Sequence, residues 1–310
     1  MSFAYYNGRF DKKENITIPL TDRSIYFGDA VYDVAIGCYD RILWEDEHIN
    51  RLLYGAKRLW IKHSYTFEFI SSLLREIAIK SMIKSYLIYI QISRSYESRK
   101  HSAIDCGANL LITIDPFQPN IYSPPMKLMT YEDKRYDFCD IKTTNLIPAV
   151  LASTEAELNG FDETVFVRQG IVTECSKSNI SILKHGRLLT HPKSCHILPG
   201  ITMKHLLLVC KAMEITVHEE PFTINDLFTA DEIIVTSSTK LCRSVSLIND
   251  TNVGGRSPDT FNEIRSRLNR DYLNIICCAA YFFSAASMAA AQSSTLIASS
   301  GTFQPSCPNS

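Results

Sequence analysis

Three observations predict an α+β fold in two domains. Strand-like and helix-like segments alternate irregularly, without the strict strand–helix repeat of a doubly wound sheet. A break at 116–126, PFQPNIYSPPM, holds four prolines and no long apolar run, the composition of a linker. Hydrophobic residues are 45% and charged residues 21% of 310 positions, enough for a sizeable core. The expected organisation is an N-terminal domain at 1–118, a linker at 119–126, a second domain at 127–271 and an atypical tail at 272–310.

The elements follow in chain order. FAYYNGRF, residues 3–10, reads as two short strands about the Asn7-Gly8 turn. After a loop through Gly28 come a strand from about Val31 to Tyr39, a turn at Asp40-Arg41 and a second strand at Ile42-Leu43-Trp44. From Glu47 to Trp60, Ile49, Leu52, Leu53, Ala56, Leu59 and Trp60 fall at helical spacing. Thr66 caps a similar helix to Lys80. SYLIYIQISRS and NLLITIDPF are strand runs on either side of the polar loop YESRKHSAIDCG. In the second half, Pro148 opens a helix that Gly160 stops. ETVFVRQGIVTE and NISILKHGRLLT read as hairpins turning at Gln169-Gly170 and His185-Gly186. Thr202 lies at the start of a helix in LPGITMKHLLLVCKAMEI, and ADEIIVTSSTK is a strand ending in hydroxyl residues. No charge follows Asp271. The Ala- and Ser-rich tail is expected to be poorly ordered, and its serines and Gln292 argue against a membrane anchor.

Net charge is −1 with a pI near 6.7, so no broad field favours nucleic acid or an anionic membrane. A small anionic substrate needs a local basic pocket instead. Ten scattered cysteines show no CxxC spacing, which points to free thiols in a reducing, cytoplasmic setting and to no metal centre. The start, MSFAYYNGRFDKK, lacks the apolar core of a signal peptide.

The chemistry begins with Lys142 in DIKTTN. Taken alone it reads as a surface lysine, Glu174 as a strand-end carboxylate, Thr202 as a helix cap, Ser237 and Ser238 as turn residues, and Arg51 as one half of a salt bridge. One cofactor joins them. A lysine amine condenses with the aldehyde of pyridoxal phosphate, and a carboxylate keeps the pyridine nitrogen protonated. The phosphate needs N–H groups at a helix N-terminus, hydroxyls and an arginine. Lys142, Glu174, Gly200-Ile201-Thr202, Ser237-Ser238 and Arg51 supply these types.

The blocks FGDAVYDV (27–34), HINRL (48–52), RKH (99–101), CDIKTTNLIPAVLA (139–152), VTECSKSNI (172–180), LPGIT (198–202) and VTSST (235–239) occur in order and at the spacing of a known family. From about Tyr5 to about Phe261 the chain resembles the fold-type IV pyridoxal-phosphate enzymes, and among them it is most similar to bacterial-type D-amino-acid aminotransferases. The resemblance implies that Lys142 is the Schiff-base lysine and proton carrier and that Glu174 is the partner of the pyridine nitrogen. It assigns Arg51, Ile201, Thr202 and Ser238 to the phosphate cup, Ser237 to a neighbouring polar position, and Leu198 to the apolar surface behind the ring. It assigns Tyr32, Arg99 and His101 to the substrate carboxylate, the last two reaching over from the neighbouring subunit of a homodimer with shared sites. The implied reaction moves an amino group between a D-amino acid such as D-alanine and a 2-oxo acid such as 2-oxoglutarate. The alternatives are a branched-chain L-amino-acid aminotransferase, an aminodeoxychorismate lyase-like enzyme and a non-catalytic cofactor-binding homologue. Asp33, Ser98, Cys175, Lys177 and Ser238 depart from the family pattern.

Overall fold

The computed structural model describes residues 2–95, 99–103 and 106–276. Strand β1 (Phe3–Tyr6) turns through Asn7 (φ 44°) and Gly8 (φ 98°) into β2 (Arg9–Lys12). Two consecutive positive φ values suit a tight hairpin, and Asn-Gly tolerates them. A short helix α1 (Arg23–Phe27) leads to β3 (Ala30–Cys38) and β4 (Arg41–Ile42). Helices α2 (Glu45–Arg58) and α3 (Phe67–Ser81) and strands β5 (Ser85–Arg94) and β6 (Ala108–Pro116) complete the first half. The strands form an antiparallel sheet in the order β2-β1-β6-β5-β3-β4. Ile88, Ile90 and Ile92 on β5 join Ile49, Leu52, Ile70, Leu74 and Ile77 from the two helices in one core.

The expected strand at Ile42-Leu43-Trp44 is shorter than the periodicity implied. Trp44 takes a left-handed conformation (φ 51°) and α2 begins at once, with Glu45, Asp46 and Glu47 in its first turn. Carboxylates are favoured there by the helix dipole. The helix ends at Arg58 rather than Trp60, and Trp60 is 84% exposed.

The second half comprises β7 (Met126–Glu132), α4 (Ile147–Leu158), β8 (Glu163–Arg168), β9 (Ile171–Cys175), β10 (Asn179–Lys184) and β11 (Arg187–Thr190). It continues with α5 (Ile201–Ala212), β12 (Thr216–Glu219), α6 (Ile224–Thr229), β13 (Glu232–Ser237), β14 (Leu241–Ile248) and β15 (Thr251–Asn252). Its sheet runs β12-β11-β10-β13-β14-β7-β8-β9, with β15 on β14. The β11–β12, β14–β7 and β7–β8 pairs are parallel, and the others are antiparallel. The chain therefore has a mixed α/β, two-lobed architecture. Leu206, Leu207 and Cys210 of α5 pack with Leu183, Leu188 and Ile234 of the sheet.

A last helix, α7, covers residues 258–276 and so runs past Asp271. The uncharged stretch begins as its final turns. Tyr272, 2% exposed, packs with Ile36 and Leu43 of the first half and Leu241 of the second. Positions 277–310, and with them the membrane-anchor question, lie outside the described residues. Among the described residues, no helix is long and apolar enough to cross a membrane.

The halves are tied together beside the site. Glu47 of α2 accepts from Lys204 (2.9 Å) and pairs with His205 (2.8 Å) of α5. Trp44 stacks on the His205 ring at 4.0 Å between centroids.

Candidate active site

Lys142 sits in no helix or strand, yet its backbone is stitched to the start of β3. Tyr32 donates its N–H to Lys142 O (2.9 Å), Thr144 donates to Ala30 O (3.1 Å), and Val31 and Thr143 form an isolated bridge. The side chain enters a cavity of about 490 Å³ lined by both halves of the chain. Its Nζ lies 4.6 Å from the Tyr32 ring centroid, and Tyr32 in turn stacks on Tyr89.

Glu174, at the end of β9, lines the same cavity and is 6% exposed. Its Oε1 accepts from Arg135 (2.5 Å), and its Oε2 accepts from Asn179 Nδ2 (2.9 Å) and Leu198 N–H (3.0 Å). Burial pushes this carboxyl up to about 7, although Arg135, the Leu198 N–H and Lys142 all pull it down. The carboxylate is thus held by three donors in a place that would otherwise keep it neutral. Gly200 makes the close fit possible: a Cβ there would meet Asn179 Oδ1 at 1.9 Å.

The opposite wall is built to take an anion. Helix α5 starts after Gly200 with no side-chain cap, so its first N–H groups remain for a ligand. Ile201, Thr202, Ser237 and Ser238 line the cavity, as does Leu198. Thr202 is 2% exposed, and its Oγ1 has no hydrogen-bond partner. Thr236, beside it in the lining, shows the same deficit. Ser237 Oγ is engaged by the Lys240 N–H (3.2 Å) and shapes the turn. Arg51 lines the cavity too, donating Nε (2.8 Å) and Nη2 (2.9 Å) to Asp33 and Nη1 to Pro199 O (3.3 Å). Burial would raise the Asp33 carboxyl; the Arg51 and His48 charges outweigh it and hold Asp33 well below the usual carboxylate range. The shorter carboxylate at position 33 therefore still grips Arg51 in both directions.

These donors fit the phosphate of pyridoxal phosphate, and the lone Thr202 hydroxyl tests that fit. Buried hydroxyls are normally satisfied. Thr202→Val should weaken cofactor binding about 10- to 100-fold, the loss of one hydrogen bond to a charged group. The cofactor-free protein should be no less stable, because the hydroxyl has no protein partner to lose. Cofactor titration and thermal melting check both halves of this expectation. Unchanged affinity would remove Thr202 from the cup.

Arg99 and His101 are placed elsewhere. Neither lines the Lys142 cavity of its own chain. Arg99 lies over the Phe27 ring (4.9 Å), whose edge meets His101 (5.5 Å), and Arg23 binds the carbonyls of Lys100 (2.6 Å) and His101 (3.0 Å). Of the expected carboxylate trio, only Tyr32 faces the cavity within one chain. Ser98 lies outside the described residues. Lys177 is exposed at the rim, and Cys175 is buried in the second-half core.

Arg135 and Asn179 escaped the sequence reading. In YEDKRYD, Arg135 looks like a solvated charge, and only the fold brings it to Glu174. Asn179 follows VTECSKS at the head of a strand, with nothing local to mark it.

Residues 31–248 match the family model described as Amino-transferase class IV. The chain is 31% identical over 260 residues to a D-alanine aminotransferase of Bacillus licheniformis, covering 82% of this chain and 90% of the relative. It is 32% identical over 262 residues to a D-alanine aminotransferase of Listeria monocytogenes serotype 4b, with 82% and 91% covered. Among solved structures, a branched-chain aminotransferase from Thermoproteus uzoniensis with norvaline superposes with a TM-score of 0.80 at 21% identity, over 87% of this chain and 94% of that one.

Proposed function

This chain belongs to the class IV aminotransferase family, and from that premise we propose that it transfers the amino group of a D-amino acid, such as D-alanine, to a 2-oxo acid such as 2-oxoglutarate. It is a pyridoxal-phosphate-dependent aminotransferase of fold type IV. One observation carries the reading: Lys142, the buried Glu174 and the uncapped start of α5 with its unpartnered Thr202 surround a single cavity.

When bound, pyridoxal phosphate supplies an electron sink for the charge left as the substrate α-proton departs. The residues around it do the rest. Ile201 N–H, Thr202, Ser238 and Arg51 would hold the phosphate. Glu174, clamped by Arg135 and Asn179, would offer a carboxylate to the pyridine nitrogen and keep a proton there. Leu198 would supply apolar surface for the ring. Lys142 Nζ is the group that takes the α-proton and delivers it again, a task for an amine held beside the reacting carbon. Tyr32, stacked on Tyr89, borders the substrate side. The amino donor would leave as its 2-oxo acid, with its carbonyl oxygen taken from water, the cofactor would carry the amino group, and the second 2-oxo acid would take up that group and return the water.

Arg99 and His101 belong in this scheme to a second copy of the chain. Their separation from the Lys142 cavity supports that reading, as do exposed apolar residues on α1 and α4: Ile25 (47%), Ile147 (70%) and Leu151 (59%). Their guanidinium and ring suit a carboxylate. Mixing inactive Lys142→Ala and Arg99→Ala copies should restore activity, to roughly a quarter of wild type if subunits exchange freely in a two-fold dimer. No recovery after subunit exchange has been verified would place Arg99 in its own site. Cytoplasmic residence accords with seven free cysteines among the described residues.

The decisive experiment gives the purified, cofactor-loaded protein D-alanine or L-valine with 2-oxoglutarate and measures the 2-oxo acid formed. Pyruvate from D-alanine is expected. Turnover of L-valine alone would assign the branched-chain L-specific reaction instead.

A further inference from the structure

Residues 136–139 run alongside 194–196, with Cys139 N–H donating to Cys195 O at 2.9 Å. That contact gathers a carboxylate, a thiol and an imidazole outside the cavity. One ligand atom each from Asp137, Cys195 and His196 lies within 4.8 Å of the others. His196 Nε2 is 3.4 Å from Asp137 Oδ1. Ligand atoms around a tetrahedral zinc ion stand about 3.3–3.6 Å apart, so one edge is already at that separation. The Asp137 and His196 side chains are 64% and 32% exposed and Cys195 is exposed, leaving all three room to close the rest.

We propose that Asp137, Cys195 and His196 form a zinc-binding site on the surface beside the active-site cavity. A thiolate, a neutral imidazole and a carboxylate are a donor set that selects zinc over magnesium or calcium, and water takes the fourth position. Binding changes no oxidation state. The Cys195 thiol gives its proton to solvent, and the thiolate forms the metal–sulfur bond. The sequence held no metal spacing because two ligands are adjacent and the third comes from a segment far along the chain. Ion pairing alone accounts for Asp137, which also meets Arg168 at 3.0 Å, and for His196; it gives Cys195 no part.

The position gives the site a consequence. Arg135 donates to His196 O (2.9 Å), and Arg168 joins Asp137 to Arg135 O (2.5 Å). Arg135 is the group that grips Glu174. Metal binding draws Asp137 away from Arg168 and disturbs that clamp, so zinc should slow turnover.

The inference rests on this surface cluster and not on the substrate assigned above, so binding is measured directly. Tag-free, cofactor-loaded protein is titrated with zinc chloride by calorimetry and with cobalt chloride by absorbance. One ion per chain and a thiolate-to-cobalt charge-transfer band are expected. Cys195→Ser should abolish the band, and Cys195→Ser and His196→Gln should each weaken zinc binding at least about tenfold, since even outer-shell changes cost that much. Cys106→Ser should bind as wild type does. Circular dichroism verifies that the variants are folded, as substitutions at these exposed or half-exposed positions should be. Absence of saturable zinc binding overturns the proposal. So does binding as tight as wild type by both ligand variants, or zinc inhibition that persists in them.

Discussion

Lys142→Ala should lower transamination about 10⁴-fold, the upper range for removing a general acid–base group, without unfolding the protein. The reason for the contrast is local. Backbone bonds from Tyr32 and Thr144 hold the segment, while the side chain projects into the cavity over the Tyr32 ring. The amine makes no hydrogen bond or ion pair among the described residues, only the contact with the Tyr32 ring and a longer-range attraction to Glu174. The measurement is kcat with D-alanine and 2-oxoglutarate, alongside a thermal melt and the absorbance of bound cofactor. The lysine-linked absorbance should vanish while cofactor still binds through the phosphate cup. A variant within tenfold of wild type, or one that keeps the lysine-linked absorbance, would contradict the assignment.

Arg135→Met should be the most damaging change to stability. Arg135 pairs with Asp133 (2.9 Å) and Glu174 (2.5 Å), donates to His196 O (2.9 Å), and lies over the Phe166 ring at 4.4 Å. Asp133 and Glu174 are both buried. Methionine fills much of the volume and removes the nearest cation from both carboxylates, leaving Asp133 only Arg168 at 3.5 Å and Glu174 no ion-pair partner among the described residues. Breaking a buried pair in this way costs about 3–5 kcal/mol, which corresponds to a fall of about 5–8 °C in Tm for a chain of this size. The sign of the effect on function follows from Glu174. Its carboxyl already titrates at about 7 with Arg135 beside it. Without that charge it rises further, so the neutral acid prevails at pH 7 and the ring nitrogen loses its anionic partner. Cofactor affinity should fall at neutral pH and recover in part as pH rises and Glu174 ionises. Arg135→Lys should restore part of the stability. An unchanged melting temperature in Arg135→Met would remove Arg135 from the clamp.

The legibility of this protein varied with distance along the chain. Asn7-Gly8 marked its hairpin because turn chemistry is a property of adjacent residues. The spacing of Ile49, Leu52 and Ala56 marked α2 for the same reason, but its first residue was missed, since Trp44 in a left-handed conformation is a conclusion of packing and not of propensity. Lys142, Glu174, Thr202, Ser238 and Arg51 were singled out because they lie in short blocks whose order resembles a known family. Arg135 was not, because a charged run in sequence looks alike whether water or a buried carboxylate faces it. The lack of charge after Asp271 gives no sign of the last turns of α7, which Tyr272 holds against Ile36 and Leu43.

By itself the sequence determined the two-domain α+β plan, most turns, and the residue types able to hold a lysine-linked phosphate cofactor. Only the tertiary structure decided that Glu174 has Arg135 and Asn179 as partners, that Thr202 Oγ1 is left without one, and that Arg99 and His101 do not line the cavity of their own chain. The physical reason is range. Backbone conformation and amphipathic spacing act over a few residues, whereas a site is made where two sheets and the starts of helices converge. Segments remote in sequence meet there, and burial sets the cost of every charge they bring.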